Sequence, residues 1–379
     1  MALVKKLKNI VNEGATLYSK LIIAFGRKLY SREYKKLPKT FGEKNWVERW
    51  KTLQSNPSIN CYRKYARIVN RPMDIIPMDL MNTVIQPILN PNLMRPYYLD
   101  KNNFDKIYGK ENMPVTVARR INGEYFDSNY KSLGTNNDDL YIPQSVMALI
   151  AKPSRDSYGG RNILLFNRLK DGNFHWNEQP DEILTTELLN RLLGEDWILQ
   201  CKLEQHPFMS QFNESSVNTF RVHVYNSPIT GQTNIAGMCM RIGAKGNWFD
   251  NIHSGGFCVS VDLETGKLGC LASDGKGNAT EATNGIDLHS SEFYVPDFDR
   301  LKEFAVKIGK KVTQHHSLAT DIMMDSEGNF KLIEVNIGTF DANMYMATGY
   351  TPFGKFTQEV LDYCRDKKDE VRFVYIIPW

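Results

Sequence analysis

Residues 330–343 read FKLIEVNIGTFDAN, and the first five, Phe330 to Glu334, have the composition of a short strand. An acid, an amide and a glycine follow where that strand should end: Glu334, Asn336 and Gly338. A strand alternates its side chains, so Glu334 and Asn336, two residues apart, leave the same face. The preceding segment, LATDIMMDSEGN (318–329), offers a second apolar strand carrying Asp321, then turn residues at Ser326 to Asn329. A hairpin closed this way lets Asp321 face Glu334 and Asn336. Three hard oxygen donors at one point suit Mg²⁺, which takes few protein ligands and completes its octahedron with water and phosphate oxygens. The competing reading is a hairpin whose polar residues simply face water, since each part of the pattern is common by itself.

Three further stretches bear on that choice. IAKPSRDSYGGRN (150–162) places Lys152 at a strand end, followed by Ser157 and the pair Gly159-Gly160. Glycines let backbone N–H groups approach an anion, and the lysine adds charge, so the segment can cradle phosphate. Neither G-x-x-x-x-G-K-[ST] nor G-x-G-x-x-G occurs, and a glycine turn between strands is otherwise only a turn. WILQCKLEQHP (197–207) is an apolar strand becoming irregular. Its backbone can present N–H and C=O groups to an adenine edge, with Glu204 near a ribose hydroxyl, or it is an ordinary strand exit. Finally, Arg221 lies between Phe220 and Val222, and Arg241 between Met240 and Ile242. Alternation sends each arginine to the face opposite its neighbours, toward one cavity or toward open solvent. An arginine in a cavity can bind phosphate bidentately or stabilise a developing oxyanion. Asn218, Asn251 and the pair Gly255-Gly256 are polar or open positions on the same segments.

The surrounding pattern is that of an α+β chain with more than one lobe. Short strands and turns are expected over 110–146, with a turn at Asn122-Gly123, and strands at 147–154, after the glycine turn to 167, and at 196–206. Hairpins are expected over 216–243, 255–272 and 318–336. Helices are expected at 183–193, 297–314 and 352–365, and YYLDKNNFDKIY (97–108) reads as a strand end and a short helix. At 379 residues, two or three lobes are natural. The segments are a mainly helical region 1–95, a connecting segment 96–146, a small lobe 147–205 and a large lobe 206–379.

Composition narrows the function classes. The chain is 42% hydrophobic and 11% aromatic, which argues for a packed globule, and its net charge is +4. That charge is uneven: residues 1–39 carry ten Lys or Arg against Glu13 and Glu33. Residues 3–30 have apolar residues at helical spacing with basic residues between them. They read as an amphipathic helix packed on the protein with a solvated basic face, or as one drawn to anionic lipid. With the basic charge confined there and no aromatic-lined basic groove, nucleic-acid binding is not expected. The six cysteines show no C-x-x-C spacing, so reduced thiols in a reducing compartment are expected. No apolar run reaches a membrane span, and no signal peptide is read at the N-terminus. The expected location is the cytoplasm, peripheral to the inner membrane face if residues 1–30 bind lipid.

Taken in order, the Lys-Pro strand with its Gly-Gly turn, the hinge strand, NTFR, MRIG, DNIHSGG, Asp321 and EVN resemble the ATP-grasp superfamily. The branch they resemble is the sugar-transfer-associated proteins of bacterial surface-polysaccharide gene clusters, over roughly residues 96–365. The resemblance implies two α+β lobes gripping ATP. It implies that Lys101 and Lys152 contact the ATP phosphates and that the loop Ser157 to Gly160 closes over them. It assigns adenosine to residues 200–204, including Gln200, Lys202, Leu203 and Glu204, and Mg²⁺, or Mn²⁺, to Asp321, Glu334 and Asn336. It sets Arg241 and Arg221 as catalytic groups at an acyl phosphate, and Asn218, Asn251, Gly255 and Gly256 at the acceptor. The hinge lacks the early glutamate of many ATP-grasp proteins, so its register is open.

The expected chemistry joins a small-molecule carboxylate to an amine, one of them sugar-linked, for capsule or O-antigen. A carboxylate attacks the γ-phosphate of ATP, and the acyl phosphate is then attacked by the amine. The alternatives are a phosphotransferase acting on a small molecule or sugar, and a nucleotide-binding partner of the polysaccharide machinery without turnover.

Overall fold

The computed structural model describes residues 37–53, 57–91, 94–135, 140–155, 162–274, 278–290, 292–338 and 342–368. The basic helix expected at 3–30, and Ser157, Gly159 and Gly160, lie outside the described residues.

Seventeen strands are described: β1 (Thr116–Ile121), β2 (Glu124–Asp127), β3 (Ser132–Gly134), β4 (Ala148–Pro153), β5 (Leu164–Arg168), β6 (Phe174–Trp176), β7 (Gln179–Ile183), β8 (Trp197–Cys201), β9 (Thr219–Asn226), β10 (Thr233–Ile242), β11 (Phe257–Val261), β12 (Leu268–Asp274), β13 (Ala279–Thr280), β14 (Ala282–Thr283), β15 (Ile286–Asp287), β16 (Ser317–Met324) and β17 (Phe330–Ile337). They form two large sheets. The first runs β3-β2-β1-β8-β4-β5-β6-β7 and the second β13-β12-β11-β10-β9-β16-β17. Neighbours within each sheet pair antiparallel.

The first sheet is the small lobe, and it is wider than the sequence suggests. Strand β8 pairs with β1 on one side and β4 on the other. The segment read as a connector before residue 147 therefore supplies three strands of the same sheet. Asn122 and Gly123 join β1 to β2 with φ of 49° and 83°, the left-handed pair that matches hairpin twist. The helix expected at 183–193 begins at Thr186, because Ile183 still belongs to β7. Thr185 caps it, accepting the Leu188 N–H at 3.0 Å. Leu188 and Leu189 then pack on Leu149, Phe166, Trp197 and Leu199 of the sheet.

The second sheet is covered on both faces. Alternation on β9 sends Phe220, Val222 and Val224 into one core, with Leu301, Ala305 and Ile308 of the helix Phe298–Gly309. Tyr225 enters the other core, among Trp46, Trp50, Tyr62, Tyr345, Phe353 and Leu361. The N-terminal helical region thus shares a core with the C-terminal helices Ala342–Ala347 and Thr357–Lys367 rather than standing apart.

Some boundaries differ from expectation. Residues 95–108 contain no strand end: the helix Arg95–Leu99, a 3₁₀ turn at Lys101–Asn103 and the helix Phe104–Tyr108 follow one another. Pro96 in the first helical turn is preorganised for a helix, and this overrides the β-leaning Tyr97-Tyr98. The long helix ends at Gly309 and the last begins at Thr357, while 342–347 adds a helix not foreseen. None of the six cysteines is bridged, and Cys61, Cys239, Cys258 and Cys364 are buried. Among the described residues no helix is long and apolar enough to cross a membrane.

Candidate active site

The closing hairpin forms with Asp321 opposite Glu334 and Ala319 opposite Asn336. Its register then slips, because Ile322 faces Leu332 and Ile333 is an extra residue on β17. A bulge bends its strand and re-aims side chains. Here consecutive residues Ile333 and Glu334 both line the cleft between the lobes, which a regular strand would not allow.

Asp321 is 2% exposed and held from three sides. Arg221, its neighbour across β9, takes both oxygens: Nε donates to Oδ1 and Nη2 to Oδ2, each at 2.8 Å. Arg241, one strand further, donates Nη1 to Oδ2 at 2.8 Å. Asn336 donates its amide to Oδ2 at 3.3 Å. Burial pushes the Asp321 carboxyl up, but Arg221 and Arg241 outweigh it and hold the group below its usual range. Both arginines are buried, which excludes the open-sheet alternative.

Arg241 reaches a second acid. Its Nη2 lies 3.1 Å from Asp250 Oδ1 and donates to the Asp250 carbonyl at 3.2 Å. The Thr219 hydroxyl donates to Asp250 Oδ2. A chain of alternating charge, Arg221–Asp321–Arg241–Asp250, therefore crosses the large-lobe sheet into the loop after β10. Burial is the main influence on Asp250 and raises its carboxyl, with Arg241 opposing.

The lysines supply the facing wall. Lys101 sits in the 3₁₀ turn with its backbone N–H on Ser154 O at 2.9 Å, while its Nζ reaches Glu334 Oε1 at 3.0 Å. One residue thus touches the small lobe and the large-lobe carboxylate. Lys152, on β4, is 7% exposed. Burial, then the Lys101 charge, pushes its ammonium down to about 8, with Glu334 pulling the other way.

Between these walls lies a cleft of about 920 Å³, counting its open mouth. Lys101, Lys152, Gln200, Lys202, Leu203, Arg241, Asn251, Asp321 and Glu334 all line it. The hinge after β8 is stitched to both lobes: Lys202 N–H donates to Ala148 O at 3.0 Å and His206 N–H to Met324 O at 2.9 Å.

Other expected site residues fall elsewhere. Glu204 is exposed beyond the lining, where its carbonyl accepts the Ser326 N–H at 2.9 Å. Asn218 does not reach the cleft. It is fully buried, donating to Met209 O at 2.8 Å and Gln205 Oε1 at 3.1 Å and accepting from Gly243 N–H at 3.1 Å, so it braces the loop after β10. Gly255 and Gly256 shape the loop carrying Asn251 rather than lining the cleft. Gly255 has φ of 91°, and a Cβ on Gly256 would lie 2.8 Å from Ile242 O and 2.9 Å from Asn251 O. Arg221 stands behind Asp321, outside the lining.

Sequence reasoning missed Thr219, Trp248, Phe249 and Asp250, all of which line the cleft. The run NWFDN (247–251) carried a signal: two aromatics beside an acid, in a loop otherwise marked by glycines.

Asp321 and Glu334, opposite each other on paired strands, are hard oxygen donors of the kind a divalent cation takes, while Asn336 lies outside the cleft lining and turns its amide nitrogen toward Asp321. Each carboxylate already has a cationic partner, Arg221 and Arg241 for Asp321 and Lys101 for Glu334. A metal would therefore enter this balanced cluster together with the negative charge of phosphate.

The chain is similar to D-alanyl-alanine synthetase A from Vibrio cholerae, with 12% identity and a TM-score of 0.35, over 72% of this chain and 65% of that one. It is similar to N5-carboxyaminoimidazole synthase from Aspergillus clavatus, solved with ADP, at 11% and 0.38 over 72% and 54%. It is similar to an L-amino acid ligase from Bacillus licheniformis at 12% and 0.34 over 65% and 43%. It thus spans between 43% and 65% of those proteins. No curated protein matches the chain. The model of the sugar-transfer associated ATP-grasp family matches residues 80–358, and the chain belongs to that family.

Proposed function

We propose that the chain is an ATP-dependent carboxylate–amine ligase that forms an amide through an acyl phosphate. Its substrate is a sugar or precursor of bacterial surface polysaccharide, such as capsule or O-antigen. One observation carries the ligase reading: a single cleft sets Lys101 and Lys152 against Asp321 and Glu334, with Arg241 beside them. The sugar part rests on the family's description.

In this reading Lys101 and Lys152 bind the nucleotide phosphates, and the backbone of residues 200–203 holds the base. Asp321, Glu334 and Asn336 hold Mg²⁺, which when bound neutralises charge between the attacking carboxylate and the γ-phosphate. Arg241 is fixed by Asp321 and Asp250, so its guanidinium meets the acyl phosphate without first reorganising. The apolar residues Ile150, Ile163 and Ile333 keep water from an intermediate that would otherwise hydrolyse.

The test is ADP formation with ATP, Mg²⁺, glucuronic or galacturonic acid, and a panel of amino acids and amines, with mass spectrometry of products. ADP release that needs both acid and amine, with a new amide, is the expected result. Release with one acceptor alone and a stable phosphorylated product would replace the ligase with a phosphotransferase. Tight ADP binding with no turnover on any pair would leave a nucleotide-binding protein.

A further inference from the structure

Among the described residues three carboxylates line the cleft, and the chemistry proposed above uses two of them directly. Asp321 and Glu334 belong to the metal set, while the only part given so far to Asp250 is to help hold Arg241. Yet Asp250 is not a remote surface acid. It sits in the loop after β10, beside Trp248 and Phe249, and all three line the cleft. The loop is anchored where Val217 pairs with Phe249, the Val217 N–H reaching Trp248 O at 3.2 Å. The carboxylate itself is fixed: Thr219 donates to Oδ2, and Arg241 Nη2 lies 3.1 Å from Oδ1.

Its position relative to Arg241 matters most. The two terminal nitrogens of that guanidinium divide between two acids, Nη1 to Asp321 and Nη2 to Asp250. Asp250 therefore stands one planar group away from the metal set, on the other side of the residue that meets the acyl phosphate. The opposite wall is cationic, through Lys101 and Lys152, and repels an ammonium group. An amine carries a positive charge at neutral pH and has no lone pair until it loses a proton. It needs an anion to draw it in and a base within reach of the acyl carbon. We propose that Asp250 is that group: its carboxylate pairs with the incoming ammonium and takes one proton as the nitrogen attacks the acyl phosphate.

This rests on the ligase reading, and the step balances. The ammonium gives one proton to Asp250. The freed lone pair forms the C–N bond, and the bond from acyl carbon to phosphate oxygen breaks. Phosphate leaves with the bond pair and takes the second nitrogen proton, giving the amide and hydrogen phosphate. Protonated Asp250 then returns its proton to solvent. Burial, which raises this carboxyl, makes it a better base than an exposed aspartate.

Hydroxylamine separates this role from others, because it is uncharged at neutral pH and traps acyl phosphates without a base. The acid and amine pair found in the ADP screen is run with wild type and Asp250→Asn, once with the amine and once with hydroxylamine. Amide formation should fall by about a hundredfold or more, while hydroxamate formation stays within about threefold of wild type. If both fall together in Asp250→Asn and in a second variant, Asp250→Ser, while ADP binding and melting temperature are kept, Asp250 only positions Arg241 and the proposal is overturned. Unchanged amide formation overturns it equally. A wild type silent with every pair, hydroxylamine included, removes the ligase reading itself and this inference with it.

Discussion

The two walls of the cleft both contain buried cations and hold them in opposite ways. In the large-lobe floor, Arg221 and Arg241 are committed to Asp321 at 2.8 Å. The bidentate grip of Arg221 and the single bond from Arg241 fix the acid in place. In the facing wall, Lys152 has no ion pair among the described residues, and burial together with Lys101 pushes its ammonium down. The floor is built to hold a geometry, whereas the wall keeps a desolvated cation that an incoming polyanion would relieve. Arginine suits the first task because its planar fork matches a carboxylate, and lysine suits the second because its charge is a movable point.

The largest way to break this contrast is to remove the acid from the floor. Asp321→Ala leaves Arg221 and Arg241 facing each other, buried and without their shared partner. Loss of one side of a buried pair costs about 3–5 kcal/mol. Urea denaturation should show that loss, and ATP turnover should fall below detection even under conditions where the protein is folded. A variant as stable as wild type would mean that the arginines find other partners and that the floor is not a single unit.

The wall should answer in the other direction. Lys152 has a folded pKa of about 8 against 10.5 for an ordinary lysine. Its charge is therefore a cost to the folded state, fully present below pH 8 and lost as pH rises toward 10.5, worth about 3 kcal/mol at most. Lys152→Met keeps the stem and removes the charge. It should raise stability at neutral pH by about 1–3 kcal/mol and weaken ADP binding by about tenfold to a hundredfold. Thermal melting and calorimetric titration with MgADP check the two halves. A destabilised variant would show that Lys152 is paired in the folded protein, and the contrast with the arginines would vanish.

The floor was more legible in the sequence than the wall. Period-two alternation and the turn at Ser326–Asn329 suffice to bring Asp321 toward Glu334 and Asn336, because a hairpin is a local object. The bulge at Ile333 was not legible, since nothing in the residue pattern marks an extra member of an apolar run. Strands β6 and β7 were missed because they are short and, in Gln179-Pro180-Asp181-Glu182-Ile183, polar and exposed, the pattern of an edge strand. Asn218 was misplaced for a different reason. A residue just before a strand has no fixed parity, and only the folded chain shows it turned inward toward Met209 and Gly243. Asp250 gains its meaning from Arg241 and Thr219, nine and thirty-one residues away in sequence, and no spacing rule links them.

The smallest effect is a dependence on pH that only the wall should produce. Bound phosphates favour charged Lys152, so the complex holds this proton to higher pH than the free protein does. Below about pH 8 the lysine is already charged, and MgADP affinity should not vary on its account. Above that value each binding event takes up a proton, so affinity should fall as pH rises, by at most about tenfold per unit. Titrations in two buffers of different ionisation enthalpy, at a pH between the free and bound values, should show uptake approaching one proton. Lys152→Met should show none and a flat profile. The arginines of the floor stay charged throughout this range, so a slope that survives in Lys152→Met would mean that the proton is taken up at a group other than Lys152. The charge relieved by phosphate would then not be that of Lys152, and the contrast between wall and floor would fail.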